Sequence, residues 1–115
     1  MYKNFELSSL LAFFDDDKPA VHDYLEVVME DWIALKIELV SAIKNKDFKA
    51  YRGVVHRMLT PMKLLQMTEL QNLLNNGNFR IEVSEEAENQ IFFKALFAKI
   101  DDCITEMKEI LPTLK

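Results

Sequence analysis

Apolar residues recur at helical spacing along most of the chain. Val21, Leu25, Val28, Trp32, Leu35, Leu39 and Ala42 alternate steps of four and three without a slip. That is the pattern of one buried face on an amphipathic helix. It predicts a long helix from residue 19 to about 44, with Tyr24, Ile37 and Val40 widening the buried stripe. Phe48, Tyr51, Val55, Met58, Met62 and Leu65 form a second stripe, and Phe93, Leu96, Ile100, Cys103, Met107 and Ile110 a third.

Polar residues mark where these helices start and stop. Ser8 or Ser9 is expected to cap a short helix that runs through Phe14, after a lead-in over residues 1–7. Asp15, Asp16 and Asp17 break that helix. Asp17 is placed to cap the long one, with Pro19 in its first turn, where a missing N–H costs little. Asn45, Lys46 and Asp47 make a short turn, and Asp47 caps the next helix. Thr68-Glu69-Leu70-Gln71 reads as a capping box opening a shorter helix. Asn75-Asn76-Gly77 is expected to end it, leaving residues 78–83 as a loop. Ser84 then caps the last helix, and Pro112 ends it.

Two residues inside the second stripe disturb its helix. Gly53 costs about 1 kcal/mol relative to Ala. Pro61 removes the bond to the Arg57 carbonyl, at a cost of about 3 kcal/mol. Because the stripe continues through both, a kinked but continuous helix is expected. The links are short, so successive helices should be antiparallel neighbours. The expected architecture is all-α, an antiparallel four-helix bundle (up-down-up-down) with a short additional N-terminal helix. The 115 residues, half of them hydrophobic, suit a single domain with one core.

Composition narrows the chemistry. No apolar run is long enough to span a membrane. The single cysteine, Cys103, reads as a small core residue in a reducing, cytoplasmic setting. The formal net charge is −5, which argues against general nucleic-acid binding. The charge is uneven. Between residues 44 and 63, six cations and one anion give +5, which leaves −10 for the remainder. A local basic patch on an acidic chain suits a specific anionic target, although a solvated helix face has the same composition.

There are two histidines. His22 reads as a surface residue near a helix start. No Glu-x-x-His pair accompanies either histidine, so a metal site is not expected. The Asp15–Asp17 run is explained by capping and helix-dipole effects. His56 shares a stripe with Lys49, Arg52 and Lys63, expected about a quarter turn from the core face. A neutral imidazole there could act as a nucleophile. Arg52, Lys63 and the Thr60 hydroxyl could stabilise phosphoryl oxygens carried on it. The alternative is an ordinary exposed histidine on a basic face.

The segment Asp47-Phe48-Lys49-Ala50-Tyr51-Arg52-Gly53-Val54-Val55-His56-Arg57-Met58-Leu59 resembles the His-bearing helix of histidine phosphotransfer (HPt) domains of multistep phosphorelays. The order of helices and the D-x-P opening of the long one are similar too. The resemblance implies that His56 accepts a phosphoryl group from a receiver-domain aspartate and passes it to another. It implies a carrier rather than an enzyme with its own ATP site, and no cofactor in this chain, with Mg²⁺ on the partner. The partners would be a response-regulator receiver domain, a hybrid sensor histidine kinase, or both. Lys49, Gly53, Met58, Leu59, Phe13 and Phe14 would form the docking surface. The family's Lys and Gly, three and four residues after the His, are Leu59 and Thr60 here. Arg52 and Lys63 are the proposed substitutes for that Lys, and Gly53 for the clearance. The second reading is a non-catalytic helical adaptor, a pseudo-HPt whose histidine is incidental.

Overall fold

Periodic apolar spacing becomes helix throughout the described chain. The structure, a computed structural model, describes residues 7–83 and 86–114, and the side chains of all of these except 78–83 and 86–89. Among them are five α-helices: α1 (Leu7–Phe13), α2 (Lys18–Lys44), α3 (Phe48–Leu64), α4 (Thr68–Val83) and α5 (Glu86–Ile110). A 3₁₀ turn, Leu111–Leu114, follows α5. The lead-in expected before Leu7 and the Ser84 cap lie outside the described residues.

The caps of α2 and α3 form as their sequences dictate. The Asp17 carboxylate accepts from the Ala20 amide at 3.2 Å, and Asp47 accepts from Ala50 at 3.0 Å. Each satisfies one otherwise unpaired donor of a first turn. Ser8 and Ser9 lie within α1 rather than ahead of it. Thr68 is likewise the first residue of α4 and not a flanking cap, because the Gln71 amide donates to the Met67 carbonyl at 3.0 Å.

Three helices stop through residues in the left-handed region, none of them glycine. Asp15 and Asp16 follow α1 with φ of 54° and 61°, Lys46 follows α2 at 52°, and Gln66 follows α3 at 54°. In each case an amide beyond the turn reaches back to the helix: Asp16 to Leu11, Asp47 to Ala42, Met67 to Met62, all at 2.8–2.9 Å. This is the Schellman pattern, in which glycine is the usual residue.

The four long helices each have two long neighbours. α2 packs on α3 and α5, and α4 packs on α3 and α5. Surface ion pairs cross between them: Arg57 to Glu38 at 2.8 Å, Lys36 to Asp101 at 2.6 Å, and Lys99 to Glu69 at 2.9 Å. α1 lies on α2, where Phe14 meets Tyr24 at 5.5 Å between ring centres. The 3₁₀ turn closes against α2 and α5 and buries Leu114. The expected core seams of α2 and α5 are buried along their whole length.

Three expectations are corrected. First, Ile37 and Val40 do not widen the core: they are 68% and 42% exposed, and Tyr24 is half-buried. Ile37 is two positions from buried Leu35, about 200° around the helix, so it faces away from the core that Leu35 enters. Second, the buried stripe of α3 is Tyr51, Val54, Met58, Pro61 and Met62, continuing to Leu65, with Val55 only half-buried. The helix is continuous through Pro61. Third, α4 does not end at Asn75-Asn76-Gly77, and residues 78–83 are helix rather than loop.

The reason for the third correction is steric. Gly77 has no positive φ. A Cβ on it would lie 2.0 Å from the Tyr51 hydroxyl and 3.3 Å from Phe93. That hydroxyl is buried and donates to the Leu74 carbonyl at 2.6 Å. Gly77 is the gap in α4 that admits the Tyr51 phenol, and burial pushes that phenol's pKa well above its ordinary value.

Gly77→Ala is therefore expected to destabilise the protein by about 1–3 kcal/mol, overpacking outweighing the gain in helix propensity. Tyr51→Phe should cost about 1 kcal/mol for the lost hydrogen bond. In the Tyr51→Phe background the Gly77→Ala penalty should shrink. Urea unfolding of the two single variants and the double variant measures all three.

Candidate functional site

Burial of one face of α3 determines what its other face presents. With Met58 at the centre of the buried stripe, His56 lies two positions away, about 160° around the helix. The expected quarter turn was too small, because the core takes Val54 in place of Val55. His56 is on the outermost ridge of α3, not its flank. It is exposed and makes no hydrogen bond or ion pair among the described residues.

The same ridge carries Lys49, Arg52, Gly53, Thr60 and Lys63, all exposed. The Arg52 guanidinium lies over the Phe48 ring, 4.6 Å from its centre. It is thus held one turn back from Arg52, toward the start of the helix. Helical side chains lean toward the N-terminus. Thr60 and Lys63 therefore lean toward His56, and His56 leans toward Gly53. Arg57 is turned aside: its Nη2 donates to Glu38 on α2, and its Nε to the Gly53 carbonyl at 3.5 Å.

Gly53 is unlike Gly77. A Cβ built on it meets nothing within 4 Å. No packing inside the protein requires a glycine there, yet it interrupts a helix interior where Ala would be more favourable. Its effect is to leave bare backbone surface one turn before His56.

The apolar part of the expected docking surface is only partly present beside His56. Leu59 is half-buried near it in sequence, but Met58 is fully buried in the core and offers no surface. Phe13 is 65% exposed and packs edge-on against Phe14 at 5.2 Å. Phe13 ends α1 and Phe14 follows it; α1 touches α2 and reaches the α3–α4 turn, where Gln66 donates to the Ser9 hydroxyl at 2.7 Å. Gln66 is ten residues beyond His56, about 15 Å along a helix axis. The phenylalanines therefore stand at the end of the molecule and not against the histidine.

The remaining candidates are quickly placed. His22 is more covered than expected, its side chain 13% exposed, with Nδ1 3.1 Å from Asp23 Oδ1. The Asp15–Asp17 carboxylates are exposed and serve the helix ends. Among the described residues no three His, Cys, Asp or Glu side chains gather as a metal-ligand set. None of the described helices is long and apolar enough to cross a membrane. Cys103 is buried, and its thiol is pushed up to about 12, first by burial and then by the charge of Glu106.

Comparison with protein-family models, with curated proteins and with solved structures finds no match for this chain.

Two measurements follow from this geometry. Gly53→Ala should raise unfolding stability by about 0.5–1 kcal/mol, since it restores helix propensity without a clash. A urea melt showing destabilisation would mean that the surface is occupied from within. Cys103 should be inert to an aromatic disulfide reagent at about pH 8 in the native protein and should react fully once unfolded.

Proposed function

We propose that this chain is a histidine phosphotransfer protein, an antiparallel up-down-up-down four-helix bundle with a short additional helix. It relays a phosphoryl group between receiver-domain aspartates through His56. The observation that carries this reading is an unpartnered, exposed imidazole beside a helical glycine that internal packing does not need. A phosphoryl donor held on another protein must bring its phosphorus within about 3–3.5 Å of the ring nitrogen, in line with the bond that breaks. Bare backbone at Gly53 gives the room for that approach.

In the transfer, the lone pair of one ring nitrogen attacks phosphorus. The N–P bond forms as the acyl-phosphate P–O bond breaks, and the carboxylate leaves with that electron pair. The proton on the other ring nitrogen passes to solvent. The chain supplies positioning and positive charge: Lys63 and Thr60 lean toward the phosphoryl oxygens, with Lys49 farther along the ridge. Arg52 reaches them by leaving the Phe48 ring, an exchange whose cost is small at an exposed cation–π contact. Mg²⁺ belongs to the receiver, and this chain acts as a carrier without a nucleotide site. A cytoplasmic, reducing setting fits an unpaired thiol in the core.

A second reading has its own support. Leu59 stands where the family places its lysine, and Arg52 is engaged with Phe48. Both fit a pseudo-HPt adaptor that docks on a receiver or kinase domain without transfer.

Incubation with a ³²P-labelled receiver separates the readings. Acid-labile label should appear on the wild type and vanish in His56→Gln. Gly53→Gln, whose side chain points into open space, should keep the fold and slow transfer at least ~tenfold, about 1.4 kcal/mol at the barrier. Label appearing equally in His56→Gln would refute the carrier role. No label from several receivers that nonetheless bind would establish the adaptor.

A further inference from the structure

α2 carries a second periodic face, well away from its core seam. Glu26, Glu30, Ile33, Ile37, Val40 and Lys44 follow one another in steps of four, three, four, three and four. This is the heptad spacing of a helix that packs along a single partner helix. All six are exposed, with Ile33 at 44%, Ile37 at 68% and Val40 at 42%. Ile33, Ile37 and Val40, with Ile104 of α5, line a groove of about 520 Å³. Its polar wall is already neutralised, since Lys36 is bonded to Asp101 at 2.6 Å and lies over Phe97. Lys108, also at the groove, is exposed.

The order of charges along this ridge selects its occupant. Glutamates stand at one end, β-branched residues in the middle, and a lysine at the other end. Glu26, Glu30 and Lys44 form no ion pair among the described residues. We propose that the ridge binds a second copy of this chain, with two α2 helices antiparallel about a two-fold axis near Ile37. That arrangement sets Ile37 on its symmetry mate once, and Ile33 on Val40 and Lys44 on Glu30 twice each. A parallel pairing would put Glu30 on Glu30 and Lys44 on Lys44, which is disfavoured. The seam is one helix wide, smaller than the ~800 Å² per partner of a standard stable interface. The dimer is therefore expected to dissociate on dilution.

The ridge faces away from α3, which meets α2 on the Glu38 side. The dimer leaves His56 open, so the inference stands or falls independently of phosphotransfer.

Sedimentation equilibrium of the full chain, at low salt and from micromolar to millimolar concentration, tests it. The wild type should move from monomer to dimer with no higher species. Ile37→Glu, at an exposed position, should keep the helical circular-dichroism signal and lose the dimer over the whole range. Lys44→Glu should weaken dimerisation at least ~tenfold, and Glu30→Lys combined with Lys44→Glu should restore it. A wild type monomeric throughout would overturn the proposal and leave the ridge to another partner. So would an Ile37→Glu dimer of unchanged strength, or a double variant no stronger than Lys44→Glu alone.

Discussion

Burial of one face of α3, with the Tyr51 hydroxyl donating to the Leu74 carbonyl at its head, sets the rotation of that helix. A helix is stiff, so fixing one side chain fixes where all the others point. Tyr51 enters the core with its phenol delivered to a carbonyl of α4, through the gap at Gly77. Val54, Met58, Met62 and Leu65 then follow it inward. His56, five positions on, lies about 140° from Tyr51 around the axis. The histidine is thus held out to solvent by contacts on the opposite side of its own helix. The phosphoryl transfer proposed for His56 would need such rigidity, because orientation contributes more to in-line transfer than acid–base groups do.

The chain places its two glycines in an unusual way. Helix ends with φ near 50–60° are where glycine is cheapest, yet Asp15, Asp16, Lys46 and Gln66 fill them. Both glycines stand inside helices, where each costs about 1 kcal/mol. For Gly77 the use is internal and visible: a phenol and a phenyl ring occupy the space of its missing Cβ. For Gly53 that space is open. The transfer proposed for His56, one turn away, would use that clearance for a partner from outside the molecule.

Much of this fold is legible in the sequence, and the failures have physical causes. The α2 and α5 seams, the Asp17 and Asp47 caps, and the short α2–α3 turn follow from local spacing and capping chemistry. Spacing alone could not decide between Val54 and Val55, because both are apolar and adjacent. Contact with α2 and α4 decides it. Asn75-Asn76-Gly77 has the composition of a helix stop, but Gly77 answers to Tyr51, a residue 26 positions earlier. Ile37 and Val40 were expected inside because of their hydrophobicity, although their angular position points outward. At the site, the sequence identifies the histidine and the cations but not their partners. Arg57 turns to Glu38 and Arg52 to Phe48, and such pairings depend on neighbours that a periodicity cannot see.

The distribution of charge links the two outward faces. The segment from Lys44 to Lys63 holds a net +5 in a chain of net −5. Of these cations, Lys49, Arg52 and Lys63 stand on the α3 ridge, while Arg57 is paired with Glu38, so the ridge is a positive strip on an acidic chain. On the proposed reading the partner's aspartyl-phosphate site is anionic, and such a field would draw it to the strip and raise the rate of productive encounter. The α2 ridge obeys a different rule: it carries glutamates at one end and a lysine at the other, and its middle is apolar. A surface of that kind gains nothing from long-range attraction to an anionic partner, and it is complementary to itself when reversed. One helix pair thus offers two surfaces that do not compete, because one selects by sign and the other by symmetry.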